Sequence, residues 1–79
     1  DLLICISSSG ESKNIIKGAK FAKKIGCKVI TLTGFDQKNK VRKIGDINLW
    51  LNSKNYNLIE MTHHTWLLVI VDFIAKAKF

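Results

Sequence analysis

The chain opens on an apolar run, followed by a helix-like repeat and a second apolar run. Leu2 to Ile6 is continuously apolar, which is typical of a strand that is buried on both faces. A lysine-rich helix is predicted from about Ser12 to Ile25, ended by Gly26, and the β-branched run Lys28 to Thr33 predicts a second strand. The apolar positions that give the helical spacing are Ile15, Ile16, Ala19 and Ala22. Because one helix connects the two strands, we expect them to be parallel, with a right-handed crossover.

The second half of the chain predicts one more strand and a long helix. Residues 35–45 are polar, and a short helix is predicted over Gln37 to Ile44. Alternating apolar positions from Ile47 to Leu51 predict a third strand near an edge of the sheet. After a polar loop, Asn57 or a neighbour is expected to cap a helix from Leu58 to about Lys76. The order of elements predicts an α/β fold with a parallel sheet.

The last predicted helix is apolar nearly all round from Trp66 to Ile74, interrupted only by Asp72. A helix of this kind needs cover on every side, and three strands are too few to supply it. We therefore expect a further segment or a second copy to cover it, and a homo-oligomer, either a dimer or a tetramer. The longest purely apolar run, Trp66 to Val71, falls far short of the ~20 residues that cross a bilayer, so no membrane partner is predicted.

The composition changes this picture only slightly. The formal net charge is +7, but no aromatic residues alternate with the lysines and there is a single arginine, so we predict a solvated lysine-rich surface and no nucleic-acid partner. Cys5 and Cys27 lie in or beside predicted strands without a C-x-x-C spacing. Free thiols are therefore expected, which favours a reducing, cytoplasmic location.

The turn between the first strand and the first helix predicts an anion site. Its sequence is Ser7-Ser8-Ser9-Gly10-Glu11-Ser12, and we call this segment the serine turn. Backbone N–H groups at a helix N-terminus favour negative charge, and four hydroxyl groups add donors, so phosphate is the expected guest. The alternative is an ordinary helix cap by Ser9 or Ser12, but a cap needs only one hydroxyl.

The start of the long helix carries the candidate catalytic groups, Glu60, His63 and His64. The spacings of three and four residues put Glu60 on the same helix face as both histidines. A carboxylate and an imidazole on one face could act as base and acid, or bind a metal. The alternative is structural: Glu60 suits a first helical turn for electrostatic reasons, and the histidines could pack at an interface.

Other motifs are absent from the sequence. No Gly-Lys-Ser/Thr follows the serine turn, which argues against a Walker A loop. The sequence also lacks G-x-G-x-x-G, which argues against dinucleotide binding. There is no G-x-S-x-G, H-E-x-x-H or C-x-x-C sequence either.

The stretch Asp1 to Ser12, together with Gly26 to Gly34, resembles the sugar isomerase (SIS) domain family, and within it the phosphoheptose isomerase-like branch. The family pattern is an apolar strand followed by Ser-x-Ser-Gly-x-Ser/Thr, a helix, and a strand that ends in a turn. Gly45-Asp46-Ile47 is similar to the family's step into the next strand. By this resemblance, residues 1–79 are expected to form the C-terminal part of a single, doubly wound SIS domain, whose complete sheet has five parallel strands.

The resemblance also implies a substrate and roles for particular residues. It implies a sugar phosphate held by the serine turn, through Ser7, Ser8, Ser9, Ser12 and the Gly10 amide. It implies aldose–ketose isomerisation of a sedoheptulose 7-phosphate-like sugar, which would supply bacterial lipopolysaccharide or capsule precursors. Several SIS enzymes place a general-base glutamate at the position of Glu60.

Zinc is implied by the resemblance only in part. Phosphoheptose isomerases have a zinc-binding glutamine at the position of Glu60, and a catalytic, zinc-binding histidine at the position of Leu68. Because leucine can do neither job, no metal ligand is assigned in this sequence. Two functions stay open: an isomerase that uses Glu60, and a non-catalytic, regulatory phosphosugar-binding SIS module.

Overall fold

The computed structural model describes residues 1–78, which form a three-stranded parallel sheet with a helix on each face. The strands are β1 (Leu2–Ile6), β2 (Lys28–Thr33) and β3 (Ile47–Trp50), in the spatial order β1-β2-β3. Helix α1 (Lys13–Lys24) connects β1 to β2, and helix α2 (Tyr56–Lys78) follows β3. The predicted α/β class and the parallel pairing of the first two strands are confirmed.

The strand register divides the side chains between the two faces of the sheet. Leu3 pairs with Val29, and these two side chains pack with Cys5 against the α1 residues Ala19 and Ala22. Side chains alternate along a strand, so Leu2 and Ile30 point to the opposite face, where α2 lies. The helices therefore cover opposite faces, as in a doubly wound fold.

Helix α1 ends as the sequence predicts. The Gly26 amide donates to the Lys23 carbonyl over 3.1 Å, and the Cys27 amide donates to the Ala22 carbonyl over 2.9 Å. This pair of bonds is the Schellman motif, and Gly26 adopts the positive φ of 89° that the motif requires. The turn stops the helix and directs the chain into β2.

The helix predicted over Gln37 to Ile44 is wrong, because only the single 3-10 turn Val41–Lys43 forms there. The Asp36 carboxylate accepts the Lys38 amide over 2.8 Å, and the Asp36 carbonyl accepts the Asn39 amide over 3.1 Å. These local bonds offer the backbone an alternative to a helix. The segment between β2 and β3 is therefore a folded loop.

Helix α2 begins two residues earlier than predicted, and its cap is Asn55 rather than Asn57. The Asn55 side-chain oxygen accepts the Leu58 amide over 3.2 Å, and the Asn55 carbonyl accepts the Ile59 amide over 3.0 Å. Both asparagines suit a cap, so composition alone did not separate them. Asn57 instead lies inside the first helical turn.

Only the first half of α2 packs closely on the sheet. Ile59 is fully buried and lies so near Gly34 that a Cβ atom there would be 2.7 Å from Ile59 Cδ1. The second half stays exposed, and an apolar groove runs between it and the sheet, lined by Leu2, Ile30, Val69, Ile70, Phe73 and Ile74. By length and composition alone, Tyr56–Lys76 would also suffice to cross a bilayer. Cover by a further segment or a second copy stays a prediction.

An ion pair fastens the amino ends of β2 and β3 to α1. Asp46 accepts the Lys23 ammonium over 2.7 Å with one carboxylate oxygen and the Val29 amide over 2.8 Å with the other. Lys23, followed by the Val29 amide, lowers the pKa of Asp46. The aspartate of Gly45-Asp46-Ile47 thus joins α1, β2 and the start of β3.

Both cysteines described by the structure are free, as expected. Cys5 is buried under α1, and burial raises the pKa of its thiol. Cys27 is half-buried beside the same core.

Candidate functional site

The serine turn and the start of α2 meet at the carboxyl end of the sheet. The turn follows β1 directly, and α2 passes over the end of β2 on the opposite face from α1. Ligands of open parallel sheets bind at this edge, because the loops and helix N-termini converge there. The fold therefore brings the predicted phosphate site and the predicted catalytic residues to one edge.

Two of the four serines build the serine turn itself. Ser7 is buried, and its hydroxyl oxygen accepts the Gly10 amide over 3.1 Å. The Ser9 hydroxyl oxygen accepts the Glu11 amide over 3.2 Å. Each hydroxyl still has a proton to donate, because in these bonds its oxygen is the acceptor. These bonds shape the turn before any ligand arrives.

Ser12 occupies the N-cap position of α1 but makes no capping bond with its side chain. Its backbone has the extended conformation of a cap, with φ of −64° and ψ of 121°, and its carbonyl accepts the Ile16 amide over 2.9 Å. The simple capping alternative for Ser12 is therefore wrong in the described structure. The hydroxyl and the first amides of α1 stay available to an anion.

Gly10 is required at its position for two reasons. Its φ of 70° is a conformation that residues with a Cβ rarely adopt. A Cβ atom there would also collide with the side chain of Asn39, which lies in the loop after β2. The serine turn is thus packed directly against the next loop of the sheet.

His63 is fixed by the end of β2. The residue is only 2% exposed, and its Nε2 donates to the Thr33 carbonyl over 2.9 Å. A carbonyl can only accept, so Nε2 carries a proton, and in the neutral ring the lone pair is then on Nδ1. Nδ1 is buried and has no partner in residues 1–78. Trp66, one turn further along α2, packs against the imidazole with ring centroids 5.8 Å apart.

A cleft of about 360 Å³ joins the two predicted halves of the site. Ser8 lies on one side, and Glu60, His63 and His64 lie on the other. Apolar side chains complete it, namely Ile6 at the end of β1 and Leu67 on α2. Glu60 and His64 are exposed, in contrast to the buried His63. The cleft therefore places Ser8 of the serine turn, a carboxylate and two imidazoles around one volume.

Residues 1–78 do not form a zinc site by themselves. No three histidine, cysteine, aspartate or glutamate side chains come together anywhere in residues 1–78. Leu68, at the position where the resemblance implies a zinc-binding histidine, is 53% exposed and offers no ligand atom. The donor set of residues 1–78 therefore does not fit zinc.

Sequence reasoning missed two residues that shape the site, Thr33 and Asn39. Thr33 acts through its backbone carbonyl, which no side-chain motif reveals. Asn39 lies in a polar loop, where asparagine is common, and only its burial, at 1% exposed, distinguishes it. A buried asparagine signals a hydrogen-bonded role, but burial of a loop residue cannot be read from periodicity.

A second hollow lies beyond the ends of β2 and β3, and it too was not predicted. Phe35 and Trp50 form its apolar part, and the polar residues around it are Asp36, Gln37, Asn52 and Lys54. The Arg42 guanidinium covers the Trp50 ring at 4.5 Å. Phe35 has a positive φ of 57° and packs on Tyr56, with ring centroids 4.7 Å apart. These contacts anchor the start of α2 beside the cleft.

Known proteins match the chain along most of its length. Residues 1–34 match the family model of the SIS domain. A phosphoheptose isomerase of Aliarcobacter butzleri is 46% identical over 63 residues, which are 80% of this chain and 33% of that protein. A probable phosphoheptose isomerase of Thermoplasma acidophilum is 36% identical over 76 residues, which are 96% of this chain and 41% of that protein.

A solved structure agrees with these matches. The structure of a phosphoheptose isomerase from Francisella tularensis superposes with a TM-score of 0.84 at 31% identity, over 94% of this chain and 40% of that one. The chain thus spans 33–41% of the length of these relatives. The structural match agrees with the parallel α/β fold of residues 1–78. The chain therefore belongs to the SIS domain family, within which it is similar to the phosphoheptose isomerases.

Proposed function

We propose that the protein is a phosphosugar isomerase that interconverts an aldose and a ketose phosphate, with a sedoheptulose 7-phosphate-like substrate. One observation carries the proposal: Ser8 of the serine turn lines the same cleft as Glu60, His63 and His64. The relatives named phosphoheptose isomerase support it. An anion site beside a carboxylate and imidazoles suits a substrate with a phosphate at one end and a carbonyl at the other.

The phosphate is assigned to the serine turn. Ser8 and Ser12 would donate their hydroxyl protons, and Ser7 and Ser9 would do so while their oxygens hold the turn. The Gly10 amide already donates to Ser7, so we assign it the role of shaping the turn and not of contacting the phosphate. The positive end of the α1 dipole adds attraction for the anion.

Glu60 is the proposed base. Its carboxylate would remove the proton from the carbon beside the carbonyl, while protonated His64 gives a proton to the carbonyl oxygen, leaving an enediol. Glu60 then returns its proton to the former carbonyl carbon, and the neighbouring hydroxyl gives its proton back to His64. The ketose forms, and both side chains regain their starting states.

His63 has a different part in this scheme. Its Nε2 proton is engaged by Thr33 and its Nδ1 is buried, so neither ring nitrogen is placed to exchange a proton with a substrate. We therefore assign His63 the role of holding α2, and with it Glu60, in position beside the cleft. A pair of adjacent histidines, one buried and one exposed, separates positioning from proton transfer.

The alternative function is a non-catalytic phosphosugar-binding module. Leu68 favours it, because the resemblance implies a catalytic histidine at that position. Both functions require phosphate at the serine turn, and they differ in the need for Glu60. We further propose a cytoplasmic location and a homo-oligomeric assembly, in line with the free thiols and the exposed apolar half of α2.

The decisive experiment measures turnover of sedoheptulose 7-phosphate by the full-length protein, with and without added zinc. Glu60→Gln should lower kcat by at least about 100-fold and leave phosphate affinity nearly unchanged, because general base catalysis typically contributes that much. Asp72→Asn is the matched control, because it removes an exposed carboxylate from the same helix outside the cleft. Binding without turnover in the unmodified protein would support the binding module instead. Full activity of Glu60→Gln would remove Glu60 from the mechanism.

A further inference from the structure

The loop after β2 makes direct contact with the serine turn. The Val41 amide donates to the Gly10 carbonyl over 2.9 Å, and the Lys40 amide donates to the Glu11 carboxylate over 2.9 Å. Both donors are backbone groups, so their positions depend on how the loop between β2 and β3 is folded. The shape of the serine turn is therefore coupled to that loop.

Asn39 holds the loop in place. Its side-chain nitrogen lies within hydrogen-bonding distance of the Thr33 hydroxyl at 3.1 Å, the Gly34 carbonyl at 3.2 Å and the Asp36 carbonyl at 3.0 Å. Its side-chain oxygen accepts the Arg42 amide over 2.8 Å. The residue is 1% exposed, so water cannot replace these partners. The amide thus ties the end of β2 to the 3-10 turn that carries Val41.

The Asn39 side chain also packs on the backbone of Gly10. The space where a Cβ of Gly10 would lie is occupied by the Asn39 side chain, and Gly10 keeps its φ of 70° beside it. The bonds within the serine turn span only two or three residues, from Ser7 to Gly10 and from Ser9 to Glu11. Short-range bonds alone leave such a turn free to adopt other conformations, and the contact with Asn39 selects one.

We infer that Asn39 is a positioning residue for phosphate binding: it orders the serine turn through Gly10 and the Val41 amide without touching the ligand. The inference rests on the phosphate assignment of the proposed function. A turn that is ordered before binding does not lose conformational freedom when phosphate arrives, so its affinity is higher. Removing Asn39 should therefore weaken phosphate binding more than it slows the chemistry, which is carried by α2.

The test compares Asn39→Ala with Asn48→Ala in the full-length protein. Asn48 is a matched control because its side chain also joins a turn to a strand, through Gly45 and Thr31, but does not contact the serine turn. Titration calorimetry with inorganic phosphate gives the affinity, and sedoheptulose 7-phosphate turnover gives KM and kcat separately. Asn39→Ser, which keeps one hydrogen-bonding group, is the second variant in case Asn39→Ala does not fold.

The expected result is a loss of phosphate affinity of about tenfold in Asn39→Ala, with a similar rise in KM and a fall in kcat below about threefold. Asn39→Ser should lie between Asn39→Ala and the unmodified protein, and Asn48→Ala should keep its phosphate affinity. Unchanged phosphate affinity in a folded Asn39 variant would overturn the inference and leave the proposed function standing. Phosphate binding that is lost in Asn39→Ala, without turnover in the unmodified protein, would support the inference while the isomerase proposal fails.

Discussion

The Nε2 atom of His63 lies 2.9 Å from the carbonyl oxygen of Thr33, and this bond ties the first half of α2 to the end of β2. The same carbonyl also accepts the Leu51 amide over 3.0 Å. One backbone oxygen thus fixes both Leu51, the residue that follows β3, and the first half of α2. Glu60 lies one turn before His63, so its place in the cleft depends on this contact.

His63→Ala should destabilise the protein, and His64→Ala should not. The first change removes a buried hydrogen bond and leaves a cavity beside Trp66, for an expected cost of about 2–4 kcal/mol in the free energy of unfolding. The second removes an exposed side chain, for an expected change within about 0.5 kcal/mol. Urea unfolding of the two variants gives both values. Equal costs would mean that the Thr33 bond does not anchor α2.

Gly10→Ala should destabilise the serine turn, whereas Gly18→Ala should stabilise α1. At Gly10 a methyl group would collide with the Asn39 side chain, and the φ is positive. We therefore expect the free energy of unfolding to fall by about 1–3 kcal/mol. At Gly18 no atom lies within 4 Å of the new methyl group, and alanine is a better helix former by about 1 kcal/mol. Thermal unfolding checks both. Opposite shifts of Tm are expected, and a lower Tm for Gly18→Ala would contradict the account.

Local patterns predicted most of the elements, because they rest on contacts close in sequence. The apolar run of β1, the lysine-rich helix and the glycine that ends it all needed only neighbouring residues, and the Schellman bonds at Gly26 follow that logic. The loop at residues 35–45 was predicted poorly. Its shape depends on Asp36 turning the backbone and on Asn39 reaching Thr33, and helical spacing does not record either contact.

The site was predicted as two separate halves. The serine turn was identified from its hydroxyl groups, and Glu60, His63 and His64 were identified from their helical spacing. Their meeting in one cleft depends on α2 crossing the end of β2, which is a long-range contact. The spacing also could not separate His63 from His64, because their different burial is set by Thr33 and Trp66.

Acid should weaken the protein through Asp46. Lys23 and the Val29 amide hold the pKa of the Asp46 carboxyl below its usual range. A carboxyl whose pKa is lower in the folded state stabilises that state above the unfolded pKa of about 4, and the contribution is lost as the pH falls through the folded pKa. The unmodified protein should therefore lose more stability between pH 6 and pH 3 than Asp46→Asn does.

Urea midpoints at the two pH values measure this difference. Asp72→Asn is the control, since it removes an exposed carboxylate on α2, away from the Lys23–Asp46 pair. Its pH dependence should match that of the unmodified protein. An Asp46→Asn variant with the same acid sensitivity as the unmodified protein would show that the Lys23 pair does not contribute.

Phe73→Glu should dissociate the proposed homo-oligomer. Phe73 is 75% exposed and lines the apolar groove with Val69 and Ile74, so an interface there would bury its ring. Burying an unpaired carboxylate costs more free energy than the apolar contact of one phenylalanine contributes, so the assembly should shift to smaller species. Sedimentation velocity of the full-length protein measures the shift. Phe21→Glu, at a phenylalanine that is 62% exposed on α1, is the matched control and should leave the assembly unchanged. If Phe73→Glu sediments like the unmodified protein, this half of α2 does not form the contact between copies, and another surface must do so.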